Sequence, residues 1–161
     1  MKKTFKSLIF SFLLIAVAAI SLSCGNNDNI VDELVEEGNF KTLVQSLQAT
    51  GLDQTLRDDG PFTVFAPTDS AFQALGQETL NELINDTAKL SEVLKLHVVS
   101  GEFSSDELID IAQTDGFLIS LEGSQLNLSY DGTNLYVNSV QIIDDINADN
   151  GIIHIVNKVI N

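Results

Sequence analysis

The hydrophobic period of this chain changes once, at Gly116, and that change limits the fold more than any other feature. Before it, apolar residues recur at helical spacing. Phe40, Leu43, Val44 and Leu47 stand at i, i+3, i+4 and i+7, and Ile30, Leu34 and Val35 form a second stripe. After it, apolar residues alternate, as in Leu126, Leu128 and Tyr130, then Leu135 and Val137, then Val140 and Ile142. One side of a helix and one face of a strand must each be buried against something else. A run of helices followed by a run of strands therefore predicts an α+β plan, with the helices packed against an antiparallel sheet.

Punctuation residues divide the two halves. Gly38-Asn39 separates two helices, Gly51 ends the second, and Leu52 to Leu56 reads as a third short one. Asp58-Asp59-Gly60-Pro61 is a turn, and Phe62 to Ala66, bounded by Pro67, reads as a buried strand. Thr68 is placed to cap a helix whose first turn holds Asp69, where a carboxylate suits the helix dipole. Ala71, Phe72 and Leu75 face one side of that helix. Leu80, Leu83 and Ile84 mark another helix, Leu90, Val93, Leu94 and His97 one more, and Asp106 to Ile111 a short amphipathic one. In the sheet half, Phe117 to Leu121 is the first strand, Asp131-Gly132 marks a hairpin turn, and Asn150-Gly151 precedes the last strand, Ile152 to Val156. Phe62, Phe65, Phe72, Ile153 and Ile155 are expected inside.

Not all 161 residues belong to that domain. Lys2, Lys3 and Lys6 precede a 13-residue greasy run from Leu8 to Ile20, and small residues lead to Cys24. This is the pattern of a secretory signal, too short for a confident membrane span. The expected organisation is a lipoprotein signal peptide over 1–23, a polar tether over 24–29 and one domain over 30–161. Three of the eight bases precede Cys24 and all 23 acids follow it, so the processed chain carries −18. Such a charge argues against nucleic acid and against flat adsorption on anionic lipid.

Cys24 is the only cysteine, which excludes an intramolecular disulfide. Its position after Ser21-Leu22-Ser23 predicts lipidation: a thiol as first mature residue, acylated and inserted in a membrane, each buried CH₂ contributing about 0.8 kcal/mol. The expected location is the cell envelope, anchored on the outer side of the cytoplasmic membrane or on the outer membrane.

Patterns that carry chemistry are sparse. His97 and His154 each sit among Leu, Val and Ile, which predicts structural rings rather than a shared metal site. Asp145, Asn147 and Asp149 alternate like the start of a calcium loop, but Gly151 comes one place late and Val156 fills the slot of the bidentate Glu. There is no phosphate-binding glycine loop and no G-x-S-x-G elbow. The expectation is a non-enzymatic protein with no cofactor and no metal. The most distinctive polar connection is Asp144-Asp145-Ile146-Asn147-Ala148-Asp149, three carboxylates around one branched apolar residue ahead of the last strand.

Three stretches together resemble the fasciclin-like domain family. They are Gly60-Pro61-Phe62-Thr63-Val64-Phe65-Ala66-Pro67-Thr68-Asp69-Ser70-Ala71-Phe72, then Leu96-His97-Val98-Val99-Ser100-Gly101, then Asn150-Gly151-Ile152-Ile153-His154-Ile155-Val156-Asn157. Their order and spacing match over about residues 29–160. Leu96 stands where that family has Tyr, Ser100 where Pro is common, and Asn157 where Asp is usual.

The resemblance implies a wedge-shaped antiparallel β-sandwich with N-terminal and inserted helices packed on one side. It also implies a cell-adhesion or extracellular interaction module that binds a protein or polysaccharide at the cell surface; the chain is separately expected to be a monomer. In animal members the central segment and an Asp-Ile pair are implicated in integrin binding; His97, Asp145 and Ile146 occupy those positions here. The resemblance further suggests Thr68 and Asp69 as polar partners near the buried histidines. The alternative function is a glycan- or small-ligand-binding accessory lipoprotein of a transport system.

Overall fold

A computed structural model describes residues 29–161 of the chain. Cys24 and the signal segment lie outside the described residues. The domain opens with three helices, α1 (Ile30–Glu37), α2 (Lys41–Thr50) and α3 (Leu52–Asp58), as the spacing predicts. Gly38 and Gly51 end the first two in the left-handed region, at φ 72° and 73°. The stripe on α1 is rotated from expectation: Val31 is buried beside Ile30 and Leu34, while Val35 is 54% exposed. Only part of α1 faces the body, so position 31 rather than 35 completes the buried arc.

Strand β1 (Phe62–Pro67) follows and is buried at every position. Three further helices come next, α4 (Asp69–Ala74), α5 (Gln77–Asn85) and α6 (Thr87–Leu96), leading to the short β2 (Val98–Ser100). Helix α7 (Ser105–Gln113) precedes the sheet half, which contains β3 (Phe117–Ile119), β4 (Gln125–Tyr130), β5 (Leu135–Val137), β6 (Val140–Ala148) and β7 (Gly151–Val156).

The strands lie in the order β2-β1-β7-β6-β5-β4-β3. Pairing is antiparallel except between β1 and β7, which run parallel with Phe62 opposite Gly151 and Phe65 opposite His154. Helices α4 to α7 and strands β2 to β6 intervene between these two, ample length for the crossover that a parallel pair requires. The sheet curls until its edges meet: Val99 of β2 bridges Ser120 just after β3, and Leu121 N–H donates to Val98 O at 2.7 Å.

The curl creates two cores, one on each side of β1 and β7. Val64, Ala66 and Ile153 face the helices, where Ile30, Leu34, Phe40, Leu43, Leu47, Phe72 and Leu94 pack against them. Phe65 and Val156 face the inside of the curl, with Leu108 of α7 and Leu118, Leu126, Val137 and Ile160. Strands buried on both faces read as continuous apolar runs rather than alternating ones, which is how both appear in the sequence. The result is the wedge of curled sheet implied by the resemblance, with α1 to α6 packed on one side and α7 against the inner core. Among the described residues, no helix is long and apolar enough to cross a membrane.

Candidate functional site

The segment expected to be a polar loop, Asp144 to Asp149, is mostly strand. Asp144 through Ala148 pair with Ile155 back to Gly151, and only Asp149 and Asn150 form the turn. An apolar neighbour on β7 recruits this polar stretch into the ladder, because Ile146 and Ala148 pack against the helix-side core.

The pairing is interrupted once. Ile142 is opposite Val156 and Asp144 opposite Ile155, so Ile143 is an extra residue on β6 and bulges out, 54% exposed. A bulge shifts the phase of alternation on its own strand. Ile142 packs against the inner core, and Asp145, three residues on, is opposite His154, whose ring stacks on the inner-core Phe65 at 5.7 Å. Asp145 therefore leaves the strand on the inner face, at the mouth of the curl, and remains exposed.

That mouth is a groove of about 340 Å³. Ser105 and Ile109 of α7 form one wall, Tyr130, Thr133, Asn134 and Leu135 of the β4–β5 hairpin another, and Gln141 to Asp145 the third. The polar rim is held in place from below. The Asp131 carboxylate accepts the backbone N–H of Asn134 at 2.7 Å and of Thr133 at 2.9 Å, the Asn134 amide at 3.3 Å and the Tyr136 hydroxyl at 3.0 Å. Those donors, the backbone pair first, push its pKa down to about 2. Gln141 Nε2 then donates to Asn134 Oδ1 at 3.0 Å, tying β6 to the hairpin. On the opposite wall, α7 starts with a reciprocal cap. Ser104 N–H donates to Glu107 Oε2 at 2.8 Å and Glu107 N–H to Ser104 Oγ at 3.4 Å.

Both histidines are buried, as expected from their apolar surroundings. His97 Nδ1 lies 2.7 Å from Val93 O, and its Nε2 accepts Ile160 N–H at 2.9 Å. A carbonyl can only accept, so Nδ1 carries the proton and the ring is neutral. Burial drives its pKa down to about 4, opposed by the Val93 carbonyl. His154 has the other tautomer: Nε2 donates to Phe103 O at 2.8 Å, leaving Nδ1 as a buried acceptor with no partner among the described residues. Its pKa is lowered by burial, opposed by the Phe103 carbonyl and by the charge of Asp145.

Thr68 and Asp69 do not serve these rings. Thr68 Oγ1 accepts Ala71 N–H at 3.3 Å and caps α4. The Asp69 carboxylate crosses to α2 and accepts Thr42 N–H at 2.8 Å and Lys41 N–H at 3.3 Å. It supplies the cap that Phe40, at the start of α2, lacks. A carboxylate at a helix N-terminus is favourable wherever in the sequence it originates.

The three residues expected to contact a partner do not form one surface. His97 is 2% exposed and joins the end of α6 to the C-terminal segment. Asp145 and Ile146 leave opposite faces of β6, Asp145 into the groove mouth and Ile146 against the helix-side core. Sequence reasoning missed the rest of the groove, Ser105, Tyr130, Thr133, Asn134 and Gln141. One signal was present: the doublets Ile142-Ile143 and Asp144-Asp145 break the alternation where the bulge lies.

Comparison with known proteins agrees with this architecture. The fasciclin domain family model matches residues 38–161. The chain belongs to the fasciclin domain family. It is 40% identical over 132 residues to the Synechocystis protein sll1735, covering 82% of this chain and 96% of that one. It is 36% identical over 135 residues to pig transforming growth factor-beta-induced protein ig-h3, covering 81% of this chain and 19% of the relative. Thus it spans most of the bacterial relative and about a fifth of the animal one. A solved structure of a FAS1 domain pair from the insect cell adhesion molecule fasciclin I has the same fold. Its TM-score is 0.70 at 16% identity, over 83% of this chain and 50% of that one.

Proposed function

We propose that this protein is a surface-anchored, non-enzymatic interaction module. A lipid on Cys24 holds it to the cell envelope, and the groove at the β6 bulge docks a protein or polysaccharide partner. The observation that carries this reading is the convergence of Asp145, Tyr130 and a braced Asn134–Gln141 pair on one groove of a fasciclin-family fold. Fixed polar groups over an apolar floor recognise ligands without reorganising on contact. The fasciclin I comparison, a cell adhesion molecule, supports adhesion as the role. His97 contributes by holding the last residues in place rather than by touching the partner.

Two variants test the proposal in cells that display the chain, scored by attachment to protein- and polysaccharide-coated surfaces. Cys24→Ser should release the protein from the membrane fraction, and mass spectrometry of the wild type should show acyl mass on Cys24. Asp145→Ala should fold normally and attach poorly. Retention of Cys24→Ser in the membrane sinks the anchor, and full attachment by a folded Asp145→Ala variant sinks the docking site.

A further inference from the structure

Resting on that docking role, we propose a ligand class for the groove: an alkylammonium or alkylguanidinium group, presented as a lysine or arginine side chain of a basic partner protein. The floor is aliphatic, with Ile109, Leu135 and Ile142, and suits the methylene stem of such a side chain. The mouth carries Asp144 and Asp145, and no Lys, Arg or His lines the groove. An anionic ligand would enter against both carboxylates and against a chain of net charge −15, whereas a cation is drawn in.

Hydrogen-bonding capacity points the same way. Asn134 Nδ2 gives one hydrogen to Asp131 and Gln141 Nε2 gives one to Asn134 Oδ1, so half of the donors of these two amides are already committed. The Asp145 carboxylate has no hydrogen bond to the described residues and awaits donors. Across the strand pair, His154 of β7 is opposite Asp145, and its Nδ1 is a buried acceptor without a partner among the described residues. Ammonium and guanidinium groups are donors only, and they match a site that offers acceptors.

The test is a backbone-amide NMR titration of the full chain with four capped amino acids, Nα-acetyl methylamides of lysine, arginine, norleucine and glutamine. The lysine and arginine probes should shift the amides of Ser105, Thr133, Asp144 and Asp145, and the two neutral probes should bind at least tenfold more weakly. Asp145→Asn should weaken the cationic probes about five- to tenfold at an unchanged melting temperature. Asp110→Asn, an exposed acid outside the groove, should leave them unaffected. If Asp145→Asn fails to fold, Thr133→Trp, which fills the groove from an exposed position, should abolish the shifts instead. Equal binding of norleucine, or cationic binding that survives either variant, overturns the assignment. Attachment of cells bearing Thr133→Trp separates the two proposals. Lost attachment without amine binding removes the ligand class and keeps the docking site; amine binding with normal attachment does the reverse.

Discussion

Acidification should destabilise this domain mainly through His97. In the folded protein the ring accepts Ile160 N–H through Nε2, so adding a proton there destroys a buried hydrogen bond and leaves a charge in the core. The folded pKa is about 4 against an ordinary value of 6.5. Between these two values the unfolded chain binds the proton and the folded chain does not, so stability rises with pH across that window and is lost as pH falls through it. At 1.36 kcal/mol for each tenfold difference in proton affinity, going from pH 7 to pH 4.5 removes roughly 2–3 kcal/mol. That is a large share of the ~5–15 kcal/mol that holds a domain of this size. His154 is shifted in the same direction and adds to the loss. Urea unfolding at pH 7, 6, 5 and 4.5 should show the decline in wild type. His97→Gln should be weaker at pH 7 but about 2 kcal/mol less sensitive to pH over the same range. Parallel pH profiles for the two proteins, or a His97 ring signal that titrates near 6.5 in the folded state, would refute the reasoning.

Three further substitutions should read out the sheet and its connections. Gly151 has φ 151° and a Cβ there would sit 1.9 Å from Phe62 O, so Gly151→Ala should cost more than about 3 kcal/mol or prevent folding, measured by thermal melt. Asn150 accepts Ile30 N–H at 2.9 Å and donates to Leu56 O at 2.5 Å, clamping α1 and α3 to the β6–β7 turn. Asn150→Ala should therefore lose about 2–4 kcal/mol in urea. Asn138 and Ser139 form the two-residue β5–β6 turn at φ 46° and 67°, and Ser139→Gly should gain about 0.5–1 kcal/mol by relieving left-handed strain.

The fold was legible in the sequence where one physical rule dominates a segment. The period of Phe40, Leu43, Val44 and Leu47 placed α2, and the runs at Phe62 and Ile152, apolar on both faces but for Thr63 and His154, marked the strands that are buried on both faces. Val35 was misplaced because a stripe gives the buried side only to within one residue, and packing of α1 on its neighbours selects Val31. The loop expected at Asp144 was misread because local polarity outweighed a pairing contributed by residues of β7. The groove was least legible. Ser105, Tyr130, Thr133, Asn134 and Gln141 come from three separate elements, and nothing in their local sequence announces that a curled sheet gathers them. Asp69 gives the same lesson at short range: its role at the start of α2 depends on a contact 27 residues away.

The parallel pair at the centre of the sheet also governs the order in which this molecule can be made. Phe62–Pro67 emerges from the ribosome early, yet until Gly151–Val156 follows, its only strand partner is the three-residue β2. For most of synthesis a strand that ends up fully buried has an open edge, the kind of surface that templates aggregation. The domain closes only when its last strand slides between the first and the sixth, and such distant pairings form slowly. Protection during biogenesis must therefore come from whatever handles the nascent chain, and a premature stop before residue 151 would yield a product that cannot shield its own centre.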